Sequence, residues 1–349
     1  MTPELDRLVD AVRTNCHISD ARHARDMTMC TYLLEMRELF RWERGLALGA
    51  PVPQAEVGAW MAQREALWSS LEEAAHVPLP LGPSHVDPFD VERANRTLAA
   101  HQLVYGAGIG RFGKPQFFVG ALEREEWRDG VRVLVAGREH ARDLSAAPAA
   151  SRDGTIYVRT ESLRRWLWER AEAWMSRRPD GSLRAALDGY GFADAPNDAI
   201  ARMADAEVET LILHELGECA VGRELGPGWE RMLGSLTRRR PELFVRAVRD
   251  HLADCLVTLP ALLDRDAAPS LHFWFANLQG QRQALFPRIA AAYARWRDGE
   301  GDAALHVAIG EGAAHWRRIA HAIVALAAQR AGDAEDAIEA LAADPSTIL

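Results

Sequence analysis

Residues Thr210–Gly222 read TLILHELGECAVG. Apart from His214, Glu215 and Glu218, almost every position from Leu211 to Val221 is apolar or small. A helix that is apolar nearly all round is a buried helix. His214 and Glu218 are four residues apart, which makes them neighbours on one helical face. Glu207 lies on the same stripe and Glu215 one position round. Buried imidazole and carboxylate are costly unless paired, hydrogen-bonded or bound to a metal. This stretch therefore predicts a core helix that carries a polar group set needing a partner.

Outward from it, the chain reads as mainly α. On the C-terminal side, Pro241 can open a helix that is kinked or ended at Pro260, and Gln283–Trp296, Glu311–Arg330 and Ala334–Ala343 are helical. Upstream, Asn197 caps the long helix to about Leu225, and Thr160 caps one running to Trp174. Thr2 caps a first helix, with Pro3 at its first position. Ser19 caps a longer one, Asp20 to Arg44, in which Met29, Leu33, Met36 and Phe40 form one buried stripe. Ala55–Ala75 and Pro88–Gln102 complete the N-terminal helices. Between the halves the period changes. Leu103–Tyr105, Gln116–Val119, Val131–Val135 and Thr155–Val158 are short, β-branched or aromatic, and separated by Gly-rich turns. Gly137–Gly154 reads as a long loop. The expectation is a helical, bundle-like architecture with a small antiparallel β-sheet insertion. Its parts are a helical stretch over 1–102, the sheet over 103–160 and a helical stretch over 161–349, together one compact unit.

Two further segments repeat the imidazole–carboxylate theme. In Arg249–Thr258 (RDHLADCLVT), His251 and Asp254 are three apart, and Asp250 and Asp254 four apart. In Cys16–Cys30, Asp20 and His23 are three apart. Carboxylate-x-x-His is the spacing that carboxylate-bridged dimetal bundles present from inward-facing helices. These donors suit zinc, iron or manganese. The expected metal ligands are His214, Glu218, His251 and Asp254, with Asp20 and His23 as additions. HELGE is also similar to the HExxH zinc-protease helix, with Glu215 as general base and Glu218 where the second His belongs.

The leading expectation is a metal-dependent enzyme acting on a small molecule, with oxidoreductase chemistry favoured over hydrolysis because the ligand set is carboxylate-rich. The alternative is a non-catalytic helical scaffold or adaptor whose buried His and carboxylates are satisfied by arginine. Arg249 and Arg246 are the nearest candidates for Asp254. A third reading takes His214 as an axial ligand to a tetrapyrrole packed among the 11 Trp residues. Convergence of the donors would favour the metal; arginine between them would favour the scaffold.

Composition excludes much else. A chain of 349 residues with net charge −9 lacks the cationic surface of a sequence-independent nucleic-acid binder. No apolar run approaches the roughly 18–20 residues of a membrane span. Met1–Arg13 has no signal-peptide core. Four Cys are no disulfide framework, so a cytoplasmic protein is expected. Lys114 is the only lysine; the other basic residues among the 41 are arginine. Schiff-base chemistry would have to use Lys114. Gly106–Gly113 (GAGIGRFG) and Lys114 approach a phosphate loop, but Pro115 replaces the Ser or Thr that holds magnesium, so a glycine-rich hairpin is expected.

The runs CHISDARHARDMTMCTYLLEMRELFRWE (Cys16–Glu43), TIYVRTESLRRWLWE (Thr155–Glu169) and LHELGE (Leu213–Glu218) resemble a family of uncharacterised bacterial proteins. The resemblance covers most of the chain. It implies that the chain is one unit and implies no activity or site residue.

Overall fold

The computed structural model describes residues 3–82, 85–110, 113–329 and 332–349. Its internal contacts group into two compact units, Met1–Glu172 and Ala173–Leu349.

The first unit holds helices α1 (Pro3–His23), α2 (Met29–Glu43), α3 (Gln54–Leu71) and α4 (Val91–Leu98), then strands β1 (Leu103–Ile109), β2 (Pro115–Arg128), β3 (Val131–Arg142), β4 (Ala149–Arg152) and β5 (Thr155–Arg159). Helix α5 (Thr160–Met175) follows and crosses the boundary. The five strands form one sheet in the order β1-β2-β3-β5-β4. It is mixed rather than antiparallel as expected, because β3 and β5 pair in parallel from Arg132↔Thr155 to Ala136↔Arg159. The expected loop Gly137–Gly154 is partly strand. β3 continues to Arg142, and β4 hairpins onto β5 through Asp153 and Gly154, both at positive φ. The alternation there is carried by Glu139, Ala141 and Arg142, which are buried, so hydropathy alone does not reveal the strand. Register shifts between Val119 and Arg124 put bulges into β2, and bulges bend a strand. Helix α1 packs on β2 and β3, and α4 on β1. Leu8, Val9, Val12 and Cys16 from α1 meet Tyr105, Phe117, Val119 and Ala141 in one apolar cluster.

The expected helix from Ser19 is instead two. α1 runs through Ser19 to His23, and α2 starts at Met29 with Thr28 as its cap. Ser19 Oγ does not cap; it donates to the carbonyl of Pro115. The expected stripe is buried only at Met36 and Phe40, while Met29 and Leu33 are exposed. The Thr2 cap lies outside the described residues. β1 and β2 make the expected glycine-rich hairpin, with Gly110 N–H donating to Lys114 O at 2.7 Å; Arg111 and Phe112, inside that motif, lie outside the described residues.

The second unit is helical: α6 (Ser182–Gly189), α7 (Pro196–Leu225), α8 (Pro227–Ser235), α9 (Arg239–Ala253), α10 (Leu259–Asp264), α11 (Ala268–Asn277), α12 (Gly280–Leu285), α13 (Pro287–Arg295), α14 (Ala303–Gln329) and α15 (Ala334–Ala342). None of Leu211–Gly222 is exposed, as the apolar run in α7 requires. α7 packs on α9, and Gly217 makes that approach possible: a Cβ there would stand 2.7 Å from Ala253 O. Between α9 and α10, Asp254–Thr258 form a π-helical turn. Pro260 accounts for a break here, since it has no N–H for the ladder. The core around α9 and α14 is closed by Trp229, Phe244, Phe286 and Trp316, all fully buried. No helix among the described residues is long and apolar enough to cross a membrane.

Candidate functional site

Helix α7 and the turn that ends α9 bring the central sequence candidates together. His214 Nδ1 lies 2.8 Å from Asp254 Oδ1, and His214 Nε2 lies 3.3 Å from Glu218 Oε1. Asp254 is 1% exposed, so its charge has to be matched inside the protein. Two arginines contribute to that match. Arg282, on α12, donates to Asp254 Oδ2 at 2.5 Å. Arg249, on α9, lies 2.5 Å from Glu218 Oε1 and 3.4 Å from Asp250 Oδ1. One donor atom from each of His214, Glu218 and Asp250 lies within 4.8 Å of the other two.

The electrostatics follow from this pairing. Burial alone would lower the His214 pKa, but the charge and hydrogen bond of Asp254, then Glu218, hold it well above the usual imidazole range. Burial would raise Asp254, yet His214 and Arg282 hold it well below the usual carboxylate range. Asp250 is likewise lowered, with burial outweighed by Arg282, His214 and Arg249. At neutral pH His214 is therefore an imidazolium between carboxylates.

The other sequence candidates have different partners. His251 is fully buried but turned away from this group. Its ring stacks on Trp316 at 4.7 Å, and its Nε2 lies 3.0 Å from the carbonyl of Arg282. Burial and the nearby Arg282 lower its pKa to about 3, so it is neutral and Nε2–H is the donor. Glu215 is buried beside these residues. Asp20 accepts from Lys114 Nζ at 2.8 Å and from Leu144 N–H at 2.9 Å, both inside the first unit. His23 lies 3.2 Å from Asp26. Arg246 pairs with Glu242 rather than Asp254.

Residues 7–159 match the N-terminal domain of a family of unknown function, DUF6866, and residues 164–345 match its C-terminal domain. The chain belongs to this family. No curated protein and no solved structure matches it. The two DUF6866 domains meet where β5 passes into α5.

The first compact unit holds polar groups that sequence reading missed. Glu139 accepts from Arg159 at 2.5 Å and from Ser162 Oγ at 2.5 Å, all buried. Asp143 accepts from Phe117 N–H at 3.3 Å; burial, opposed by Lys114, raises its pKa. Glu35 and Glu169 are further acids of this region. Burial raises Glu35 to about 7 against the pull of Arg142 and Lys114. Burial, then the charges of Glu35 and Glu38, raise Glu169 to about 8. Near this cluster the sequence singles out only Asp20, as a metal ligand, and Lys114, as the one lysine.

A pH prediction follows. Unfolded, Glu35 and Glu169 titrate near 4.5; folded, near 7 and 8. Between those limits the folded chain keeps protons that the unfolded chain has released, so their contribution to stability falls as pH rises. Glu169→Gln removes that loss. It is expected to match wild type at pH 5 and to exceed it at pH 8 by on the order of 2 kcal/mol. Urea unfolding at both pH values checks this, and an equal offset at both would refute it.

Proposed function

We propose that the C-terminal domain is a non-catalytic helical scaffold, its interior organised by the His214–carboxylate–arginine network. The observation that carries this reading is the position of Arg249 and Arg282, whose guanidinium groups stand against the carboxylate oxygens that a metal cation would take. Imidazolium and guanidinium together supply the positive charge that buried carboxylates need. The low cysteine count supports a cytoplasmic setting for such a protein.

A second reading is favoured by the close approach of His214, Glu218 and Asp250 donors. In it those three hold zinc, iron or manganese. Asp254 orients His214 through Nδ1, as outer carboxylates do for ligating histidines. Glu215 serves as acid/base toward a small-molecule substrate. Here Arg249 must leave the position it holds between Glu218 and Asp250, and His214 must lose a proton.

Elemental analysis of protein purified without chelator or affinity metal separates the two. The scaffold reading expects well under one equivalent of zinc, iron or manganese, unchanged in His214→Ala. One equivalent or more that disappears in His214→Ala would overturn it and establish the metal reading.

A further inference from the structure

The first compact unit has a cleft of about 490 Å³, lined in part by Arg13, His17, Trp42, Arg64, Arg138 and Arg142, together with three glutamates. That volume is in the range of small-ligand sites.

The glutamates are already occupied. Glu43 binds Arg64 Nη2 at 2.6 and 2.7 Å and accepts from Trp60 Nε1 at 2.9 Å. Glu139 is held by Arg159 and Ser162. Glu161 accepts from Glu139 N–H at 2.7 Å and lies 3.4 Å from Arg165.

The arginines are not all occupied. Among the described residues, Arg138 and Arg142 have no carboxylate within 4.0 Å, and the exposed Arg13 has one acid, Asp10 at 3.8 Å, while its Nε donates to the His140 carbonyl at 3.1 Å. Arg142 is 6% exposed, and its hydrogen bonds go to the carbonyls of Asp143 and Leu144 at 3.3 Å. Its guanidinium also lies 5.8 Å from the Trp42 ring. His17 accepts from Arg64 Nη1, and burial beside Arg64 and Arg13 lowers its pKa to about 3, so it adds a polar wall without a charge. Glu35, Glu139, Asp143 and Glu169 feel the Arg142 charge from beyond ion-pair distance, so an oxyanion in the cleft would be its first close counter-ion among the described residues.

We propose that this cleft binds a small polyanion, one carrying at least two negative charges on phosphoryl or carboxylate groups, with Arg142 and Arg138 as its main cationic contacts and Trp42 as a flat apolar wall. Planar guanidinium forks suit both oxyanions. A cleft of about 490 Å³ fits a small molecule rather than a nucleic-acid strand, and the overall charge of −9 points the same way.

The test is isothermal titration of the full chain with inorganic pyrophosphate and, separately, with citrate. Saturable binding at one site is expected for at least one of them, weakened about tenfold or more in Arg142→Gln and in Arg138→Gln. Arg138 is exposed, so its variant tests the site even where Arg142→Gln fails to fold. Tighter pyrophosphate assigns a phosphoryl ligand, and tighter citrate a carboxylate one. No saturation by either up to about 10 mM, or equal binding by Arg138→Gln and wild type, overturns the proposal.

Discussion

Asp254→Ala is expected to destabilise the C-terminal domain by about 3–5 kcal/mol, the cost of stripping one partner from a buried ion pair. Asp254 is 1% exposed and is matched on both oxygens, by His214 at 2.8 Å and Arg282 at 2.5 Å. Its loss leaves two partly buried cationic groups, His214 and Arg282, with fewer counter-charges. The pH dependence carries the signature. The folded Asp254 pKa is depressed, so its contribution is present above its ordinary value of 3.8 and lost as pH falls through the folded value. The folded His214 pKa is raised, so its contribution is present below 6.5 and lost as pH rises through the folded value. The gap between wild type and variant is therefore fullest between pH 3.8 and 6.5. Urea unfolding across pH measures it, and the His214 ring resonances should report a lower pKa in the variant. A loss under about 1 kcal/mol would mean the network contributes little to the fold.

Asp20→Ala is expected to cost the N-terminal domain a similar amount, about 3–5 kcal/mol. The sequence offers Asp20 as a metal ligand; the structure joins it to Lys114 at 2.8 Å and to Leu144 N–H at 2.9 Å, with 1% of Asp20 exposed. The variant leaves a mostly buried ammonium without its nearest counter-charge. Burial lowers a lysine pKa, and in wild type Asp20 and then Asp143 outweigh that and raise it. Without Asp20, burial gains, so the variant should recover stability as pH rises and Lys114 sheds its proton. Adding Lys114→Met should restore half or more of the loss, because replacing both partners of a buried pair by apolar groups is far milder than removing one. A double variant no more stable than Asp20→Ala would show that the pair is not what Asp20 holds together.

Most helices were legible, and their misread boundaries share a cause. The three- and four-residue spacing of apolar side chains marks a helix wherever one face is buried. It cannot mark an end set by a distant contact. Ser19 has the chemistry of a cap, yet its hydroxyl donates to the carbonyl of Pro115 in β2. Hydropathy marks strand β3 only to Val135, because Glu139 and Arg142 look exposed until Arg159, Ser162 and the carbonyls near Leu144 are placed around them. Parallel pairing of β3 with β5 is a choice of neighbour, which strand periodicity does not encode.

For the site, the sequence by itself determined that His214, Glu218 and Asp254 would lie on largely apolar helical faces and would need partners; Asp254 is buried, His214 and Glu218 partly so. Spacing of four residues within α7, and an apolar surround, are local properties and survive any tertiary arrangement. Only the tertiary structure decided what those partners are. Arg282 reaches Asp254 from another helix, 28 positions along the chain, and Arg249 answers Glu218 of α7 as well as its neighbour Asp250. His251, one turn from Asp254, has its ring against Trp316 instead. A buried charge fixes the need for a counter-charge through its desolvation cost, whereas the identity of that counter-charge depends on which helices pack together.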